Sequence, residues 1–242
     1  MTNTIAIGRS ALHHLHVRHG ATMRQEDGWE QPWSYADATR EAQAVRDAVG
    51  MLDESPLGKL AIKGNGRSVS SFAALWPAMP AQPLRAARLE GDLRLVCRLT
   101  DDEALVVTAP AGRQALRQHL EEQFQGAGGC LHVVDVTSGQ ASLRVVGPRA
   151  RALFRTCTSL DLRERTFPNL ACAQASMARV HTLIVRDDLA DGLLAYRLFF
   201  SRDYAEFVWE WLTEMGHEHG LIPFGQAALR LLEGTTDAEG VR

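Results

Sequence analysis

Lysine is nearly missing from this 242-residue chain: Lys59 and Lys63 are the two among 26 basic residues, and the rest are arginine. The bias by itself reads as codon and composition preference. The formal net charge of −3 gives no broad attraction to nucleic acid or to an anionic membrane. No patch of basic and aromatic residues stands out. No run approaches the roughly 20 apolar residues needed to cross a bilayer. The start, MTNTIAIGRSALHHL, lacks both the charged beginning and the long apolar centre of a secretory signal. A cytoplasmic protein without nucleic-acid or membrane partners is expected. Cysteine is also sparse. Cys97, Cys130, Cys157 and Cys172 lie far apart and form no C-x-x-C pair, so neither a zinc site nor a disulfide framework is indicated.

What is present is ordinary for a globular protein: 45% hydrophobic and 23% charged residues, enough chain for one large or two small domains. His13, His14, His16 and His19 crowd the first segment, and His16 and His19 share a helical face. No carboxylate or cysteine at ligand spacing joins them, so they read as solvated or hydrogen-bonded histidines and no metal is expected. The stretch from Leu89 to Val107 reads as a hairpin. Leu93, Leu95, Cys97 and Leu99 alternate with Arg94, Val96 and Arg98, the pattern of a strand with one buried face, and Leu105 to Val107 return. Asp92 stands at its entrance, the one acid close to an apolar and basic strand. Helices are expected over Asp37 to Val49 with Gly50 as the stop, about Ser68 to Trp76, and Ala111 to Phe124. A further helix follows Ser201, a plausible N-cap, with Tyr204, Phe207, Val208, Trp211, Leu212 and Met215 on its core face.

Three blocks carry a resemblance. GWEQPWSY is followed by EAQAVRDAVGMLDESPLGKLAIKG, with Asp53, Ser55, Gly58 and Lys59 forming a D-x-S-x-x-G-K stretch. DVTSGQASLRVVGPRARALF spans residues 135–154, and SRDYAEFVWEWLTEMGHEHGLIPFGQAAL spans 201–229. In order and spacing these resemble the folate-binding domain of glycine-cleavage aminomethyltransferases, and more closely the same domain of sarcosine oxidase and dimethylglycine dehydrogenase. The resemblance covers about residues 11–230.

It implies an α+β fold of two intertwined domains around a central cavity. Residues 1–50 with 136–234 would form the discontinuous first domain, 51–135 the inserted second, and 235–242 a tail. The C-terminal barrel usual in the family would be absent. It also implies that tetrahydrofolate occupies the cavity. Asp92 falls on an aspartate implicated in binding or activating the reactive nitrogen of the folate, Thr108 on an asparagine position, and Arg197 on the glutamate that reads the pterin's donor groups. An arginine cannot accept the two N–H bonds a carboxylate can. Asp188 or Asp191 would substitute only if the loop shifts. Losing one such charge-assisted bond costs about 1.5–3 kcal/mol, or roughly one to two powers of ten in affinity.

Two functions follow from the resemblance. One is a tetrahydrofolate-linked one-carbon transferase, or the folate-domain subunit of an amine-demethylating or glycine-cleavage-like system, with Asp92 as the catalytic residue. The other is a non-catalytic interaction subunit with a degenerate folate pocket, bound to an oxidoreductase or methyltransferase partner through apolar residues near its C-terminus: Leu221, Ile222, Phe224, Leu231 and Leu232.

Overall fold

The computed structural model describes residues 6–64, 79–90, 93–126 and 131–234. In chain order its strands are β1 (Gly8–Arg9), β2 (Thr22–Glu26), β3 (Trp29–Ser34), β4 (Val49–Asp53), β5 (Gly58–Lys63), β6 (Arg85–Arg88) and β7 (Leu93–Arg98). They continue as β8 (Glu103–Thr108), β9 (His132–Asp135), β10 (Gln140–Val146), β11 (Cys172–Met177), β12 (Val180–Arg186), β13 (Ala195–Ser201) and β14 (Leu221–Pro223). The helices are α1 (His13–Arg18), α2 (Ala38–Asp47), α3 (Arg113–Gly126), α4 (Ala150–Cys157), α5 (Ala205–Gly216) and α6 (Gln226–Glu233). The expected helix over Ser68 to Trp76 lies outside the described residues.

Two larger sheets dominate, a six-stranded one in the order β11-β12-β13-β10-β4-β14 and a five-stranded one in the order β6-β7-β8-β5-β9. A third, small sheet has the order β1-β3-β2. The central strands of the six-stranded sheet are near-continuous apolar runs, as expected for strands buried on both faces. On one face Leu143 and Val145 of β10, Ile184 of β12 and Leu198 of β13 pack against Leu153 and Phe154 of α4 and Val208 and Leu212 of α5.

The opposite face is divided. Toward β12 it meets the five-stranded sheet, where Leu183, Val185 and Phe199 pack on Leu95, Cys97, Leu105 and Val107. Toward β4 it meets helices, where Leu52 and Val146 pack with Val45 of α2 and Leu229 and Leu232 of α6. Between these two apolar contacts the alternation of β10 and β13 brings up Arg144 and Arg197, directly opposite each other in the antiparallel register. The seam of the molecule is therefore polar.

The five-stranded sheet has a core on its other face as well. Val96, Val106, Leu60 and Ile62 pack there with Leu120 and Phe124 of α3. The hairpin of β7 and β8 forms as the alternation suggests, yet β7 is buried on both faces: Leu95, Val96 and Cys97 are each 0% exposed. A single buried face was the wrong inference, because the second sheet covers the other.

Three local expectations also change. Helix α2 begins at the Asp37 cap, whose carboxylate accepts from the N–H groups of Thr39 and Arg40, but ends at Asp47. Val49 and Gly50 belong to β4, and a Cβ at Gly50 would meet Val45 Cγ2 at 2.4 Å and Phe224 Cδ1 at 2.6 Å. Close packing, not helix termination, requires that glycine. Ser201 is the last residue of β13 and makes no side-chain cap. A 3₁₀ turn over Arg202–Tyr204 intervenes before α5. The helix buries Ala205, Val208, Trp209 and Leu212 and packs Trp211 and Met215, half-buried, against the same core, so the expected face is turned by about one residue and Tyr204 and Phe207 are exposed. Among the C-terminal apolar residues, Phe224 and Leu232 are buried and Leu221 and Ile222 half-buried, which leaves Leu231 exposed. An extended apolar docking face is not formed by this set.

Candidate ligand cavity

The polar seam opens into a cavity of about 280 Å³. Glu54, Arg144 and Arg197 line it from the six-stranded sheet and the loop after β4, Ala109 and Pro110 from the end of β8, and Glu233 from the end of α6. Its wall is a network of ion pairs. Arg197 Nε donates to Asp187 Oδ2 at 2.8 Å, and Arg197 NH1 donates to Glu54 Oε2. Arg144 NH1 donates to Glu233 Oε1 at 2.7 Å and lies 3.5 Å from Glu54 Oε1, while its NH2 lies 3.8 Å from Asp187 Oδ2. Arg88 Nε donates to the other oxygen of Asp187 at 2.7 Å.

Two arginines opposite each other on adjacent strands repel. Here Glu54 and Asp187 bridge them, and the network of Arg88, Arg144 and Arg197 with Glu54, Asp187 and Glu233 is electrically neutral. The bridging has a measurable signature. Burial opposes ionisation of Asp187, but the charges of Arg197 and Arg144 outweigh it and hold the carboxyl at about 2. The same carboxylates raise Arg197 above the ordinary arginine value against the cost of its burial. One donor is left over: Arg144 Nε is buried and meets no acceptor among the described residues. A buried donor without a partner costs about 1–3 kcal/mol.

The residues expected from the sequence fare differently. Asp92 lies outside the described residues. Thr108 is buried at the end of β8, opposite Gly58, and its Cγ2 stands 2.6 Å from where a Cβ on Gly58 would be. The cavity is lined by its neighbours Ala109 and Pro110. Arg197 is on the cavity wall, with its Nε held by Asp187 and its NH1 by Glu54. Neither Asp188 nor Asp191 stands in for a glutamate there. Asp188 is paired with Arg186, and Asp191 with Arg46 at 2.5 Å.

Five participants were not singled out by the sequence: Glu54, Arg88, Arg144, Asp187 and Glu233. Two of them carried a signal. Arg144 sits inside SLRVV as Arg197 sits inside AYRLFF, and a charge within an apolar strand needs a buried partner. Glu54 lies within the D-x-S-x-x-G-K stretch, whose other residues build the frame. Asp53 accepts from Ser55 N at 2.9 Å and lies 2.9 Å from His16 Nε2, and His16 Nδ1 is 2.7 Å from the Tyr35 hydroxyl. Burial opposes its ionisation, but His16 keeps Asp53 below the ordinary carboxylate range. Lys59 is buried, donates from Nζ to Ser55 O at 2.8 Å, and is pushed down by burial to about 8. The other histidines go to separate partners: His13 to Glu30 at 2.9 Å and His14 to Glu206 at 3.6 Å. Among the described residues no helix is long and apolar enough to cross a membrane.

Interleaved sheets joined by strands distant in sequence, with a polar cavity at their seam, define the class. The model of the GCVT N-terminal domain matches residues 12–71 and 85–234, and the chain belongs to that family. It is 29% identical over 244 residues to sarcosine oxidase subunit alpha of Corynebacterium sp. (strain U-96), covering 92% of this chain and 25% of that one. It is 30% identical over 226 residues to the aminomethyltransferase of Streptomyces coelicolor, covering 90% of this chain and 59% of the relative. The chain thus spans about a quarter of the first and about three-fifths of the second. The crystal structure of glycine cleavage system aminomethyltransferase T from Bartonella henselae superposes with a TM-score of 0.77 at 19% identity, over 94% of this chain and 62% of that one. A chain of heterotetrameric sarcosine oxidase from Corynebacterium sp. U-96 superposes with a TM-score of 0.65 at 19% identity, over 88% and 96%. The fold is the α+β fold of the aminomethyltransferases.

Proposed function

We propose that this chain binds a reduced folate in the cavity at its seam and serves one-carbon transfer to or from it, as the folate domain of an amine-demethylating or glycine-cleavage-like system. Family membership supports the class of ligand. The observation that carries the reading is a polar cavity of about 280 Å³ at the seam of the two sheets, walled by the charged side chains of Glu54, Arg144, Arg197 and Glu233 and near the lower end of small-molecule pockets. The folate, when bound, supplies the nitrogen that carries the one-carbon unit; the chain supplies orientation and exclusion of water. Asp92 is proposed to orient or activate that nitrogen, and Thr108 to support the pocket from behind Ala109. Arg197 is proposed to shape the wall through Glu54 and Asp187 without touching the ligand.

The proposed domains are residues 1–50 with 136–234, and 51–135. Their first seam falls inside β4 (Val49–Asp53), which belongs to the six-stranded sheet. Anaerobic calorimetry with tetrahydrofolate tests the function. Saturable binding is expected, weakened by Asp92→Asn; no heat at millimolar ligand overturns it.

A second reading is favoured by Arg197, whose Nε and NH1 are held by protein carboxylates. In it the fold is retained as a non-catalytic subunit. The heterotetrameric sarcosine oxidase chain that superposes over 96% of its length supports a partner of the oxidoreductase kind. Stable co-purification with such a partner, without folate binding, is its expected outcome.

A further inference from the structure

We propose that the groove between α4 and the link from β12 to β13 is a second ligand site, and that it takes an organic dianion: two negative charges on an apolar body, as in a phosphate monoester or a dicarboxylate. The site is independent of the folate reading, because the groove and the seam cavity share no lining residue.

The groove holds about 480 Å³ and lies on the face of the six-stranded sheet opposite the seam. Ile184 and Arg186 are two residues apart on β12 and so point to the same side, where Ile184 packs with Leu153 and Phe154 of α4. In a chain whose net charge is −3, the charged residues lining the groove are all arginines: Arg151 and Arg155 of α4, and Arg186.

Their partners separate the three. Arg186 is 7% exposed and fixed: its Nε and NH2 donate to Asp188, and its NH1 to Glu164 and to Phe167 O at 3.0 Å. The one ion-pair partner of Arg151 among the described residues is Glu164, which stands 3.5 Å from Arg151 NH2 and is 64% exposed. A pair so long and so solvated is weak and yields to a ligand. Arg155 is exposed and has no counter-ion among the described residues. Arg151 and Arg155 are four apart on one helix, so they share a face and repel.

A dianion answers both charges at once, and the planar fork of each guanidinium matches phosphate or carboxylate oxygens. The rest of the lining suits an apolar body. Pro148 is exposed and Leu193 and Leu194 are half-buried beside the arginines. At Gly192, with φ +83°, an added Cβ would meet nothing within 4 Å, so the rim there is open.

Calorimetry at low salt with phenyl phosphate and with phenylsuccinate tests the site, and inorganic phosphate serves as the anion without an apolar body. Saturable binding of at least one aryl dianion is expected in the millimolar range or below, and the tighter of the two tells a phosphate site from a dicarboxylate site. Inorganic phosphate should bind about tenfold more weakly. Arg155→Ala should weaken the aryl dianion about fivefold, and Arg155→Lys should restore part of the loss. Arg155 is exposed, so both variants are expected to fold. Failure of both aryl dianions to bind overturns the proposal. Binding that Arg151→Ala and Arg155→Ala leave unchanged overturns it too, since the anion then sits elsewhere. Inorganic phosphate bound as tightly as the aryl dianions leaves the apolar lining without a role and has the same consequence.

Discussion

Asp187 is the residue whose loss the seam should feel most. It is 3% exposed and accepts from Arg197 and Arg88 on separate oxygens, so Asp187→Asn leaves buried arginine charge short of a counter-ion. Removing one partner of a buried ion pair costs about 3–5 kcal/mol, and chemical denaturation of the variant should show a loss of that order. The pH dependence follows from the direction of the shift. The folded carboxyl is held at about 2, below its unfolded value, so its contribution is present above the ordinary carboxylate range and is lost as pH falls toward about 2. Wild-type stability should drop across that acid window, and Asp187→Asn should flatten the drop. The identity of Arg197 was readable from the sequence, as was its unfitness to grip a pterin. Its partners were not, because Glu54 and Asp187 are separated from it by 143 and 10 residues and meet it only across the sheet.

At the scale of elements, α5 shows how tertiary packing adjusts a sound periodicity. The apolar face from Tyr204 was legible, and Val208, Trp211, Leu212 and Met215 do pack on the core, but the helix meets the sheet about one residue out of the expected phase. Trp209 becomes a core residue, 2% exposed and 5.1 Å from the His16 ring in an edge-on contact, while Phe207 is 43% exposed. Trp209→Ala should cost about 3–5 kcal/mol and Phe207→Ala less than about 1 kcal/mol, measured by urea unfolding. The start of α2 was legible for the opposite reason. A cap is a local interaction, and Asp37→Ala should cost about 1 kcal/mol by the same measurement.

At the scale of the molecule, the two larger sheets share one apolar contact, and Cys97 of β7 and Cys172 of β11 lie in it, 0% and 3% exposed. Contact with Cys172, then burial, pushes the Cys97 thiol well above its ordinary value. Both thiols should therefore resist a thiol reagent in the native protein and react at the rate at which the sheets part. Labelling of Cys97 and Cys172 that keeps pace with global unfolding shows one cooperative unit, and faster labelling shows sheets that separate on their own. The order of the three sequence blocks by itself determined the family and hence the fold, and local rules determined most strands, the hairpin and the Asp37 cap, since those depend on neighbours in the chain. Only the tertiary structure decided which charges meet. Alternation along β10 and β13 places Arg144 and Arg197 on a face, but what that face touches is set by Glu54 after β4, Asp187 in the turn between β12 and β13, and Glu233 at the end of α6. The physical reason is that a buried charge is defined by its partners, and here each partner lies outside the strand that carries the arginine.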